Sequence, residues 1–221
     1  MHTSDDLPSS TRPRPRGRPR AFDRDTALGK AALVFWLKGY EATSMSDLTE
    51  AMGIGSPSLY AAFGSKEALY AEALQHYCES YKALGWGDFS QATTARAAIQ
   101  TWLMTSAAFL TGSLSDTPTG CMVTLSAVGS EGYSALGELV RNFRNSPFMR
   151  IKARIEQGVA TGELPPGLDA HALARFVQTV QSGMSILARD GVARDELEAV
   201  AHAAMQGWDA RVAAAGKTSA V

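Results

Sequence analysis

Ser44 to Lys66, SMSDLTEAMGIGSPSLYAAFGSK, decides how the remaining residues are read. The stretch reads as two short helices joined by a Gly-containing turn, with a third helix beginning at its end. Ser44 is a good N-cap, and Asp47, three residues on, completes a capping box with it. Leu48 and Met52 put an apolar stripe on a helix that must end near Gly53. Met52-Gly53-Ile54-Gly55 supplies a tight turn in which Gly takes φ > 0. Ser56 can cap the next helix, and Pro57 suits its first position because that N–H has no intrahelical partner. Two short helices crossing over such a turn make a helix-turn-helix. The second helix of that motif enters a DNA major groove, which turns Ser56, Pro57 and Ser58 toward the bases. The same spacing also fits a plain helical hairpin inside a larger all-helical protein.

Composition narrows the choice. A chain of 221 residues with 45% hydrophobic content is long enough for one large or two small domains with real cores. No apolar run approaches the ~18 residues that a membrane span needs. The N-terminus is polar and rich in Pro and Arg, without the apolar stretch of a secretory signal, so a cytoplasmic protein is expected. Two cysteines, Cys78 and Cys121, suit a reducing compartment better than a disulfide framework. The net charge of −1 conceals an asymmetry: six arginines fall between Arg12 and Arg24, opposed there only by Asp23. From residue 71 onward there are 12 basic and 14 acidic residues, so positive charge gathers beside the helix-turn-helix, where phosphates would need it.

Residues 1–20 have little to bury and are expected to be disordered when free. Within them, alternating Pro keeps Arg12-Pro-Arg14-Pro-Arg16-Gly17-Arg18-Pro19-Arg20 extended, and Gly17 lets the backbone lie close to a surface. Such an arm, with Arg16 and Arg18 at its centre, fits the narrow minor groove of A·T-rich DNA and resembles the core of AT-hook motifs. A merely solubilising tail is the plainer alternative.

Beyond the arm, the pattern predicts helices throughout and no convincing strand. Helix 1 starts at Asp23 or Arg24, capped by Asp23, and stops at Gly39. Ser65 caps a helix through Leu69, Tyr70, Leu74 and Tyr77. Gly85-Trp86-Gly87-Asp88 is read as a break, followed by a helix over about 94–111 and a polar loop over 112–120 with Asp116 and Pro118 as turn signals. A short apolar helix is expected over 121–128, and Tyr133 opens the next, which Ser146-Pro147 must bend or restart. Pro165-Pro166-Gly167 forces another break. Two final helices follow, the first capped by Asp169.

The pattern of a first helix, Gly39-Tyr40, Thr43-Ser44-Met45, Asp47-Leu48, Gly53-Ile54, Leu59-Tyr60, Phe63 and Ser65-Lys66-Glu67-Ala68-Leu69 resembles the tetracycline-repressor (TetR) family of bacterial transcriptional regulators. The likeness covers roughly residues 21–77, about a quarter of the chain, and joins many coordinated positions. One departure is Gly55, where the family has Ser or Thr; Ser56-Pro57 would then take over capping and shift the helix start by one residue. The resemblance implies an all-α homodimer: an arm over 1–20, a three-helix helix-turn-helix head over 21–77, and a helical ligand-binding and dimerisation domain over 78–215. It implies a double-stranded DNA operator and a small-molecule effector as partners, with no cofactor, no metal and no enzymatic activity. Ser56 and Ser58 are the candidates for base-edge hydrogen bonds, and Pro57 and Ala61 for thymine methyls. Thr43, Ser44, Tyr60 and Lys66 occupy family positions that contact phosphates.

The effector pocket is expected among the aromatic and Met side chains of the second domain, with Trp102, Phe109, Cys121, Met122, Leu125 and Phe143 as candidates. Cys121 has two readings. In Pro118-Thr119-Gly120-Cys121-Met122-Val123, similar to a segment in a subgroup of these regulators, it is either core packing or a thiol at a helix N-terminus that senses oxidants or electrophiles. The last two helices are expected to form the dimer through Phe176, Val180, Gly183, Met184, Leu187, Leu197, Ala204 and Trp208, or else to bury those faces within one monomer. Other chemistries lack residues. There is no G-x-S-x-G elbow, no third glycine for a dinucleotide fingerprint, and the four histidines are scattered. A non-specific architectural DNA-binding protein could use the arm but would need no large apolar second domain.

Overall fold

A computed structural model describes residues 22–114, 117–127 and 134–218. Ten helices carry the described residues, with no strand among them. They are α1 (Arg24–Lys38), α2 (Met45–Met52), α3 (Ser56–Phe63), α4 (Lys66–Ser80), α5 (Lys82–Gln91), α6 (Ala95–Leu110), α7 (Met122–Leu125), α8 (Ser134–Ala160), α9 (Ala170–Arg189) and α10 (Arg194–Thr218). The arm with Arg16 and Arg18, the turn residue Asp116, and Val128 and Tyr133 lie outside the described residues.

Local capping chemistry sets the starts of the head helices. Asp23 accepts from the Thr26 amide at 2.6 Å, and Ser65 accepts from that of Ala68 at 3.1 Å. At α2 the capping box is complete: Ser44 Oγ accepts from the Asp47 amide, and the Asp47 carboxylate accepts from the Ser44 amide. Gly53 closes α2 at φ 69°, the left-handed conformation in which a side chain would be strained. The start of α3 differs from expectation. Gly55, not Ser56, is its N-cap and gives no side-chain bond; Ser56 is the first helical residue and Pro57 the second. Proline is tolerated there as well, since no first-turn N–H has an intrahelical acceptor.

Leu28, Phe35, Leu48, Leu59, Phe63, Leu69 and Leu74 converge in the head core, which continues into Met122 and Val123 of α7 and Leu136 and Val140 of α8. A second core joins α6, α8, α9 and α10 around Ile99, Leu103, Ile151, Ile155, Val177, Met184 and Trp208. Phe109 and Cys121 pack against both.

Two expectations fail in this second half, and a third is narrowed to one of its alternatives. Gly85 to Asp88 do not break the chain but lie inside α5. Helix propensity is a weak preference that packing overrides: Trp86 stacks on Trp102 at 5.3 Å between ring centroids, and Phe89 is buried. The short apolar helix ends at Leu125 and does not run on to 128. Finally, α8 is not restarted at Pro147 but passes through it. Pro147 donates no N–H, so the Phe143 carbonyl lacks its helical donor, while the next carbonyl, that of Arg144, accepts from Gln178 Nε2 of α9 at 2.6 Å and ties this part of α8 to α9.

Candidate nucleic-acid interface and effector pocket

Leu59 and Phe63 anchor α3 in the head core, which leaves the opposite face of this two-turn helix outward. Ser56, Pro57, Ser58, Tyr60 and Ala61 are all exposed on it. Thr43 is different. It is only 1% exposed, and its hydroxyl donates to the Gly39 carbonyl at 2.6 Å. That side chain ties the α1–α2 loop and does not reach the surface, so its assignment to a phosphate is corrected to a structural one. Ser44 is exposed, but its hydroxyl accepts from the Asp47 amide and donates to the Asp47 carboxylate.

Charge around this face is mostly internal to the head. Arg24 grips Glu72 with Nη2 at 2.7 and 2.8 Å and lies over the Phe63 ring. Lys38 bonds Asp47 at 2.6 Å. That hydrogen bond, followed by those from the Ser44 amide and hydroxyl, pulls the Asp47 carboxyl from its ordinary 3.8 to about 2. Lys66 has no ion pair among the described residues; its ammonium sits over the Tyr40 ring at 4.4 Å from the centroid.

Head and body meet at α7. Tyr70 of α4 hydrogen-bonds Ser126 at 2.8 Å, and Tyr77 donates to Cys121 Sγ at 3.3 Å. Arg144 of α8 donates to the carbonyls of Val123, Thr124 and Ser126. From α9, Ser185 Oγ accepts from the Cys121 amide at 2.8 Å. Gly120 makes this approach possible: it sits at φ +77°, and a Cβ there would lie 2.5 Å from Leu125 Cδ1 and 2.9 Å from the Ser185 carbonyl. Cys121 therefore packs at a joint, and the helix behind it is a single turn of four residues, too short for a sizeable dipole. Burial, helped by the nearby Cys121 and Glu79, pushes the Cys78 thiol up to about 12.

Met122 and Leu125 line a cavity of about 430 Å³ at this joint. Trp102, Phe109, Cys121 and Phe143 do not line it; Trp102 is buried in the body core. Most of the cavity wall comes instead from the end of α1 and the loop after it, residues 35–42, with Arg189 closing one side. Sequence reasoning missed Phe35, Trp36 and Arg189, because only the folding of α9 against α1 brings them together. Arg189 Nη2 donates to the Trp36 carbonyl at 2.8 Å, across 153 positions of sequence.

The proposed dimer residues divide. Met184, Leu197, Ala204 and Trp208 are buried in the monomer's own core, which corrects their placement on an intersubunit face. Phe176 and Leu187 remain 40% exposed, and Val180 and Gly183 are half-buried between them. These four recur at intervals of four, three and four on one face of α9, the spacing of a helix-packing stripe. On α10 the open apolar face is Val200, Ala203 and Gly207, and Gly207 lies beside the Phe176 ring. Among the described residues no helix is long and apolar enough to cross a membrane, and no three His, Cys, Asp or Glu converge as metal ligands.

The family model for bacterial regulatory proteins of the tetR family matches residues 27–73, from α1 into α4. The HTH-type transcriptional repressor ComR of Escherichia coli K12 is 34% identical over 197 residues, 87% of this chain and 92% of that repressor. BdcR, a second repressor of the same strain, is 46% identical over 61 residues, 28% of this chain and 31% of its own. A solved structure of the TetR family regulator CifR, a cysteine-substituted variant complexed with 26-bp double-strand operator DNA, superposes with a TM-score of 0.81. It has 41% identity, over 86% of this chain and 98% of that one. The chain belongs to the TetR family of bacterial transcriptional regulators.

Proposed function

We propose that the protein is a ligand-responsive repressor, a homodimer whose two α3 helices enter successive major grooves of a near-palindromic operator. It is a sequence-specific DNA-binding transcriptional regulator. The observation that carries the detailed reading is the outward face of α3, where Ser56, Pro57, Ser58, Tyr60 and Ala61 are presented together on a rigidly anchored helix. Ser56 and Ser58 supply hydrogen bonds to base edges, Pro57 and Ala61 apolar contact with thymine methyls, and Tyr60, Lys66 and Ser44 contacts to phosphates. Repression is supported by the likeness to the repressors ComR and BdcR, and operator binding by the likeness to CifR, solved with its operator DNA. The chain divides in function into an arm over 1–20, a reading head over 21–77 and an effector and dimerisation domain over 78–215. Phe176, Val180, Gly183 and Leu187, with Val200 and Gly207, form the dimer seam.

Genome-wide capture of DNA bound to the protein tests this. Enrichment of a few sites sharing one near-palindrome is expected, and genes beside them will indicate the effector. Even coverage without a shared sequence would instead make the protein an architectural DNA binder.

A further inference from the structure

The two-turn helix α3 has little of its own to hold its ends. Its N-cap, Gly55, gives no side-chain bond, and its last turn carries no basic residue. The final carbonyls of a helix have no intrahelical donor, and their partial negative charge favours a cation close by. Those of Tyr60 and Phe63 accept from the amides of Gly64 and Ser65, at 2.9 and 3.0 Å. The Ala62 carbonyl between them is met from another element: Arg24, the first residue of α1, turns Nη2 toward it at 3.4 Å. The same nitrogen grips both oxygens of Glu72 on α4, at 2.7 and 2.8 Å. The guanidinium also lies 4.4 Å from the centroid of Phe63, the last side chain of α3. One arginine thus joins α1, α3 and α4. The Arg24 and Glu72 side chains are 31% and 38% exposed, and an ion pair this open adds little to stability. What it fixes is geometry.

We propose that Arg24 is a positioning residue for DNA recognition: it caps the C-terminal end of α3 from α1 and so sets the angle at which Ser56, Pro57 and Ser58 meet the base edges. This rests on the reading of α3 as the helix that enters the major groove. Eight residues make a helix about 12 Å long, so a tilt of about 5° about the held end moves the other end by about 1 Å. A hydrogen bond to a base edge does not survive such a shift, since its useful range spans only about 0.5 Å. Phosphate contacts, driven by charge and indifferent to sequence, lose much less. Removing Arg24 therefore erodes discrimination between sequences while the general attraction for DNA remains. The plainer assignment counts Arg24 as one more phosphate contact among the arginines at this end of the chain. It predicts the opposite, a uniform weakening with a shallower salt dependence. The pairing with Glu72 speaks against it, because that carboxylate already neutralises the cation.

The test compares the full-length protein with Arg24→Gln and Arg24→Lys. In the DNA-free protein, NMR order parameters of the Ala61, Ala62 and Gly64 amides are expected to fall in Arg24→Gln from the rigid-backbone value of about 0.85, while Leu48 and Met52 of α2 keep theirs. Anisotropy then measures binding to two duplexes, one carrying the shared near-palindrome recovered by genomic capture and one with the same bases scrambled. The ratio of the two affinities should drop about tenfold in Arg24→Gln, with the salt slope on the scrambled duplex unchanged. Arg24→Lys keeps the charge but not the planar fork and should restore little of the ratio. A slope smaller by about 0.9 with the ratio intact would make Arg24 a phosphate contact. A lower Tm with the ratio intact would make it a structural residue only. Either result overturns the proposal, as does a wild-type ratio in Arg24→Lys, the variant that decides alone if Arg24→Gln does not fold. Unchanged order at the end of α3 overturns it without any DNA. Lost order there, with no shared sequence recovered by capture, sinks the regulator reading and leaves the anchoring of α3 standing.

Discussion

Two glycines with similar positive φ have different reasons to be glycine. Gly53 at φ +69° has open space where a Cβ would go, whereas at Gly120 a Cβ meets Leu125 and the Ser185 backbone. Gly53→Ala therefore costs only the left-handed conformation, about 1 kcal/mol. Gly120→Ala adds a clash that Leu125 can relieve by moving its side chain but the Ser185 carbonyl cannot without a backbone shift, for a further 1–3 kcal/mol or so. Thermal unfolding of the two variants should rank Gly120→Ala well below Gly53→Ala; equal losses would mean α7 is loosely held. Thr43 makes a related point. Its hydroxyl closes on the Gly39 carbonyl at 2.6 Å, so a threonine at a position associated with phosphate contact serves here to brace the loop that delivers α2.

Among the helices, α9 is apolar on two sides, one turned to its own core and one to solvent. Phe176→Glu puts a charge on the open side without touching Leu173, Val177 or Met184 inside. It should convert a species of twice the 23.5 kDa chain mass into one of that mass in light scattering, with helix content retained. A dimer that survives the charge would place the seam elsewhere. The same helix shows where sequence reading stops. Caps at Asp23, Ser44, Ser65 and Asp169 are legible because each bond spans three residues, and periodicity marks α6 and α9 as apolar. Periodicity does not say whose core an apolar face meets; the resemblance favours the subunit boundary for Met184, Leu197, Ala204 and Trp208, which are buried within the monomer. The α5 helix is missed for a related reason: its two glycines are local, while the Trp86–Trp102 stack that outweighs them spans sixteen positions. At the reading helix, the face with Ser56, Pro57 and Ser58 is legible, and only its cap is displaced by one residue. The cavity wall is not legible at all, since Trp36 and Arg189 lie in different helices far apart in sequence.

On the proposed reading, the whole molecule separates affinity from base recognition. Residues 22–77 carry four basic and seven acidic side chains, and two of the four bases, Arg24 and Lys38, are spent on Glu72 and Asp47. A head of net negative charge is a poor phosphate binder. The five arginines of residues 1–20 can supply what it lacks. Deleting residues 1–20 should weaken operator binding and flatten its dependence on salt, the slope falling by about 0.9 for each phosphate that the arm neutralises. Fluorescence anisotropy across a salt series reads this directly, and an unchanged slope would assign the phosphate contacts to the helical domains.

One further consequence comes from α7. A single turn has no stability of its own, yet Tyr70, Tyr77, Arg144 and Ser185 hold this one from three surrounding helices. Its protected amides, such as Leu125 bonded to the Cys121 carbonyl and Cys121 bonded to Ser185, can be exposed only when those helices part. Isotope exchange at these few positions thus acts as a gauge of how often, and at what free energy, the two halves of the protein come undone from each other.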